Sequence, residues 1–195
     1  AVRESPAIDQ RSGVSARFSI ACTEELSGAA LRRAAITGDA EPVARVGDLI
    51  DVVPAMRGKV EFDVTEEGYE EETLVLLARQ ATAESWRTLL GGQNTREFLT
   101  NLIEWFDAGN TLATSDVMSG SEILNAIGPI EGLGAVITAA EAGMNESPGL
   151  AAACVEFAAE GLWLTRRIDK DATGSGATYA SSSPTIHGSD DEMNS

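Results

Sequence analysis

One run concentrates the chemistry that this chain offers: Gln10-Arg11-Ser12-Gly13-Val14-Ser15-Ala16-Arg17-Phe18-Ser19-Ile20-Ala21. It sets two arginines, a glycine and small hydroxyl residues at the entrance of a helix. Cations are unfavourable there, because the free N–H groups and the helix dipole attract anions. Arginines that converge on such an entrance therefore suit a bound anion, phosphate above all. A guanidinium has a fixed charge and a fork of donors that grips two oxygens at once. The plain alternative is a surface arginine paired with Asp9, Glu24 or Glu25.

The elements that must hold this run are helical. Phe18, Cys22, Leu26, Ala30 and Ile36 recur near helical spacing and predict a helix from Ala16 to about Thr37, ended by Gly38. Asp48 to Val53 reads as a short helix stopped by Pro54. Lys59 to Val64 alternates polar and apolar residues and fits either one short strand or an extended connector. Acidic residues at Glu67 and Glu70 to Glu72 open a helix that runs to about Leu90, and their carboxylates read as solvated charge. Further helices are predicted over Thr95–Ala108, from a cap at Ser119 or Ser121 to Ile127, and over Leu133–Ala142. A last helix runs from the Ser147 cap and Pro148 to about Asp169, with Arg166 and Arg167 matching the dipole at its end. Trp86, Trp105 and Trp163 read as core. After Lys170 the composition turns to Gly, Ser, Thr and Ala, with an acidic cluster at Asp190-Asp191-Glu192, and predicts a disordered tail. The fold class is thus mainly α. The divisions are 1–64, 65–170 and a tail over 171–195.

Composition removes several classes of function. The 195 residues carry a formal net charge of −17, with only two lysines, Lys59 and Lys170. So acidic a chain is a poor partner for nucleic acid or an anionic membrane. No apolar run reaches the roughly 18 residues of a membrane span, and no signal-peptide pattern is present, so a cytoplasmic protein is expected. Cys22 and Cys154 lie far apart within apolar helical pattern and read as free thiols. With one histidine, His187 in the tail, neither a metal site nor a Ser-His-Asp triad can be assembled. There is no phosphate loop of the GxxxxGK[ST] type. No self-contained active site is visible.

Several short segments, in order, carry a resemblance. Ser5-Pro6, the run from Gln10 to Arg17, and Ala30-Leu31-Arg32-Arg33-Ala34 come first. Ala44-Arg45-Val46-Gly47-Asp48-Leu49 and Arg57-Gly58-Lys59-Val60-Glu61-Phe62 follow. Glu146-Ser147-Pro148-Gly149, Val155-Glu156-Phe157 and Glu160-Gly161-Leu162 close the series. Together they resemble the lid and C-terminal helical region of AAA+ ATPases of the magnesium chelatase subunit I-like family, over roughly residues 3 to 170. The resemblance implies a helical lid over 1–64 and a C-terminal helical extension over 65–170. It implies a parent ATPase that uses ATP and Mg2+, assembles as a homo-oligomeric ring and remodels a partner. That work extends in some members to metal insertion into a tetrapyrrole, and the partner is often a protein with a von Willebrand factor A domain. It assigns the sensor-2 arginine, which contacts nucleotide phosphate, to Arg17, with Arg11 as runner-up. It places the hydrolysing part upstream of Ala1, so this chain alone is expected to be inactive. The rival expectation is a free-standing acidic helical interaction module without a nucleotide role.

Overall fold

The computed structural model describes residues 5–8, 16–62, 67–140, 147–174 and 176–182. Among the described residues seven α-helices dominate: α1 (Ala16–Thr37), α2 (Leu49–Met56), α3 (Glu70–Leu90), α4 (Arg96–Asp107), α5 (Gly120–Ile127), α6 (Leu133–Ala139) and α7 (Pro148–Leu164). Three strands complete the fold: β1 (Leu112–Ser115), β2 (Ile168–Thr173) and β3 (Gly176–Ser181). Short 3-10 turns at Val46–Asp48 and Gln93–Thr95 lead into α2 and α4.

Local chemistry explains most of the boundaries. Gly38 ends α1 with φ 76°, and its N–H bonds the Ala34 carbonyl. Ser119 caps α5 by accepting from the Glu122 N–H, while the Glu122 carboxylate accepts from the Ser119 N–H at 2.7 Å. This reciprocal arrangement satisfies two donors that a helix start otherwise leaves open. Ser147 Oγ accepts from the Leu150 N–H, and Pro148 takes the first position of α7, where its missing donor costs nothing.

Two hydrophobic clusters share α3. The first gathers Ile8, Phe18, Val52, Val53, Met56 and Val60 around Leu74 and Leu77. The second packs Trp86 and Leu90 with Phe98, Leu102, Phe106, Ile123, Val155, Leu162 and the sheet residues Leu112, Ile168 and Tyr179. The α3–α7 crossing is close, because Gly161 leaves space that the Trp86 ring fills. A Cβ at Gly161 would stand 2.0 Å from Trp86 Cδ1.

Three expectations need correction. Pro54 does not stop α2 but lies inside it. In so short a helix the lost donor removes one hydrogen bond, and the Arg57 N–H still reaches the Val53 carbonyl. The last helix ends at Leu164, five residues before Asp169. There the Arg167 N–H bonds the Leu162 carbonyl and the Arg166 N–H bonds the Trp163 carbonyl, with Arg166 at φ 61°. This is a Schellman closure with arginine where glycine is usual. The stretch Lys59 to Val64, open between strand and connector, contributes an isolated bridge, Ile8 to Phe62, and its residues 63 and 64 lie outside the described residues.

The largest correction concerns the tail. Disorder from 171 onward does not hold for 171–174 or 176–182, which complete an antiparallel sheet of order β1-β3-β2. β3 is central, pairing Tyr179 with Leu112 on one side and with Lys170 on the other. The division at residue 170 cuts through β2. The acidic cluster at 190–192 lies outside the described residues.

Candidate functional site

Arg17 occupies the first turn of α1 and is exposed. Among the described residues its guanidinium pairs with no acid, and Glu24 and Glu25, also exposed on α1, do not take it up. Arg11 and Asp9 lie outside the described residues. Three other arginines of the first half, Arg32, Arg33 and Arg45, are committed, whereas Arg57 and Arg96 are exposed without an ion pair among the described residues, as Arg17 is. Arg32 Nη2 donates to Asp51 Oδ2 at 2.6 Å on the surface. Arg33, buried, donates to Asp48 Oδ1 and to the Val43 carbonyl at 2.5 Å. Arg45, also buried, sends Nη2 to the Ser115 carbonyl at 2.5 Å.

Arg45 introduces a second location, which spacing along the chain did not reveal. A cavity of about 380 Å³ opens where the turn before α2, α3, α7 and the sheet meet. Asp48 organises its near wall. One carboxylate oxygen holds Arg33, and the other accepts from the Arg45 backbone N–H at 2.7 Å. Glu156, on α7, faces Arg45 across 3.5 Å from Oε2 to Nε, and both side chains are at least nine-tenths buried. Burial raises the Glu156 pKa above the usual carboxylate range, while the Arg45 charge pulls it back and Asp48 adds to the rise. Burial likewise lowers the Arg45 pKa, against the attraction of Glu156. Arg45 Nε and Nη1, Glu156 Oε2 and Asp116 Oδ1 are buried without hydrogen-bond partners among the described residues. Gly47 makes the approach possible, since a Cβ there would lie 2.9 Å from Glu156 Oε1.

Deeper in the same wall, Glu160 Oε2 accepts from Tyr179 Oη and from Lys170 Nζ, each at 2.6 Å. Burial and the Glu160 charge together push the Tyr179 phenol far above its ordinary pKa, so it stays a donor. Lys170 Nζ and Arg79 Cζ stand 4.8 and 5.2 Å from the centroid of the Trp163 ring, a shared cation–π platform.

These two locations are separate. Arg17 and Arg33 lie sixteen residues apart on α1, roughly 24 Å along the axis at 1.5 Å per residue. Arg17 does not line the cavity. The cavity draws on segments that carry the resemblance, namely Arg45 to Leu49, Glu156 and Glu160. The signal that could have marked them is a pair of acids, Glu156 and Glu160, one turn apart in an otherwise apolar helix. Among the described residues no group of three or more His, Cys, Asp or Glu side chains is arranged to hold a metal ion. Nor is any helix among them long and apolar enough to cross a membrane. No protein-family model, curated protein or solved structure matches the chain.

Proposed function

We propose that this chain is the lid and C-terminal helical region of an AAA+ ATPase of the magnesium chelatase type. In this reading Arg17 senses the nucleotide phosphates held by an ATPase unit that carries the phosphate loop. The observation that carries the reading is the position of the Arg17 guanidinium, exposed at the entrance of α1. Arg17 is exposed in the first turn of α1 with no ion pair among the described residues; Arg57 and Arg96 share that exposure, and what separates Arg17 is its place in the run that carries the resemblance. An unpaired guanidinium in that position fits one phosphate contact. Among the described residues no cluster of acids is set to hold Mg2+, and the sequence has no phosphate loop, so in this reading ATP and its metal would be held by the other unit. Arg17 would stabilise phosphate charge and register whether the nucleotide is whole. The acidic surface then serves contact with the ring neighbours or with a client, for which a von Willebrand factor A domain protein is the proposed partner. The proposed compartment is the cytoplasm.

The experiment compares two polypeptides. The chain alone, freed of contaminants, should release no phosphate from ATP. In a polypeptide that joins it to its phosphate-loop unit, Arg17→Ala should lower turnover and weaken nucleotide-dependent closure. Unchanged turnover and nucleotide affinity in that variant would remove Arg17 from the role, and Arg11→Ala would then be measured. Phosphate release by the chain alone would overturn the division of labour.

A second reading has its own observation. Ile20 and Leu31 are 55% and 58% exposed and lie eleven residues apart, which brings them to nearly the same face of α1. A chain that docks through this face and ignores nucleotide would be an interaction module. Full turnover of an Arg17→Ala, Arg11→Ala double variant would favour it.

A further inference from the structure

The cavity beside Arg45 has a composition that selects a ligand. Its volume of about 380 Å³ lies in the range of small-molecule sites. Most of its charges are already spent: Asp48 on Arg33 and the Arg45 backbone, Asp51 on Arg32, Glu160 on Lys170 and Tyr179. What remains is a mixed set. Arg45 has two nitrogens without acceptors, and Glu156 and Asp116 each have one oxygen without a donor. Buried polar groups are almost always satisfied, by protein, by water or by a ligand.

Two of the leftover groups face each other directly. Glu156 Oε2 is 3.5 Å from Arg45 Nε. Asp116 directly follows Ser115, whose carbonyl accepts from Arg45 Nη2 at 2.5 Å. A molecule that answers both kinds of group must therefore carry an acceptor and a donor close together. Much of the remaining lining is apolar, with Val53, Val75, Ala78 and Ala177 among it. Acidic side chains outnumber cations around the cavity, so a polyanion such as a nucleotide is repelled from it.

We propose that this cavity binds a free α-amino acid with an apolar side chain. Its carboxylate takes the Arg45 guanidinium, its ammonium takes Asp116 and Glu156, and its side chain lies against the apolar lining. The ligand joins the two halves of the molecule, because Arg45 precedes α2 while Asp116 and Glu156 belong to the second half. This site is independent of the nucleotide role of Arg17.

The test uses the full chain, with L-leucine and L-valine as probes in calorimetry and thermal unfolding. At least one should bind saturably and raise the Tm. N-acetyl-L-leucine, which lacks the ammonium, and L-leucinamide, which lacks the carboxylate, should each bind at least tenfold more weakly. Substitutions of Arg45 or Glu156 can damage folding, so the variant of choice is Asp116→Asn, whose helical circular dichroism should match the parent. It should bind the amino acid at least tenfold more weakly. No saturable binding of either probe at millimolar concentration, binding of either blocked analogue as tight as that of L-leucine, or parental affinity in Asp116→Asn would each overturn the proposal.

Discussion

Arg45 and Glu156 face each other with Nε and Oε2 3.5 Å apart, both almost withdrawn from water, and neither atom has a hydrogen bond. A buried ion pair repays the desolvation of its charges only when the geometry is good and the remaining lone pairs and protons are matched. Here that condition is incompletely met, and the pair titrates accordingly. The fold raises the Glu156 pKa above its unfolded value, chiefly through burial. The folded state therefore holds the proton more tightly than the unfolded state does. Stability from this group is complete below the ordinary glutamate pKa and is lost as pH rises through the higher folded value. Glu156→Gln removes the dependence. The stability of the parent relative to this variant should fall as pH rises above about 4.5 and then level off. Each unit by which the fold raises the pKa adds about 1.4 kcal/mol to that fall. Chemical denaturation of both chains across pH 4 to 8 checks it, and a pH-independent gap would contradict it.

The α3–α7 crossing makes a sharper steric prediction. A methyl group at position 161 would overlap Trp86 Cδ1, Nε1 and Cγ, all within 2.2 Å. The ring is buried in the larger core and cannot swing away without opening a void. Gly161→Ala should cost about 2–4 kcal/mol, near the upper end for overpacking. The variant that also carries Trp86→Leu should lose less than the two single losses combined, because the smaller side chain relieves the overlap. Additive losses would show that the contact does not limit stability.

How far the chain could be read from its sequence follows from these contacts. α1 and α7 were legible because Gly38, Ser147 and Pro148 mark their ends by local chemistry. The sheet was not. β1 is four residues long, Leu-Ala-Thr-Ser, too short to show a period. β2 turns Lys170 toward the interior, which a hydrophobic pattern counts as exposed; its partner Glu160 lies on the preceding element, α7. β3 is built of small residues around Tyr179, and composition alone reads it as linker. The cavity was hidden for the same reason. Arg45, Asp116 and Glu156 come from three separate segments, and no spacing along the chain relates them.

The corrected tail carries a prediction of its own. Tyr179 is 1% exposed, and its hydroxyl donates to Glu160 at 2.6 Å. A hydrogen bond to a charged acceptor contributes about 1.5–3 kcal/mol. Tyr179→Phe should lose about that much. Ending the chain at Lys170 should do far more, since it removes β3 and half of β2 and uncovers Leu112 and Ile168. The shortened chain should bind a hydrophobic dye and unfold without a sharp transition. A cooperative melt like that of the full chain would show that the sheet is dispensable.

The two thiols should report the two cores separately. Cys154 is buried, and burial pushes its thiol up to about 11. Cys22 is half-buried at the edge of the first cluster, and burial raises its pKa as well. The thiolate is the reactive form, so both react slowly, and Cys154 must wait for opening of the second core. In native buffer a maleimide should label Cys22 first. Cys154 should follow only as denaturant unfolds the chain. Equal native rates would mean that α7 opens as readily as α1.

Arg166 offers a gain of stability. It closes α7 at φ 61°, in the left-handed region that a side chain with a Cβ occupies at a cost. Glycine enters that region freely but loses more backbone freedom on folding, so the net benefit is the difference between the two effects. The backbone bonds from Arg166 to Trp163 and from Arg167 to Leu162 do not depend on the side chain. Arg166 is exposed, so its charge at the helix end contributes only a few tenths of a kcal/mol through the dipole. Arg166→Gly should therefore stabilise the chain by about 0.5–1 kcal/mol. Arg166→Ala, which keeps the Cβ and drops the charge, should leave stability unchanged or slightly lower. If alanine stabilised as much as glycine, the gain would come from losing the arginine side chain, and the backbone argument would fail. Denaturant midpoints of the three chains, at equal slope, decide between these outcomes.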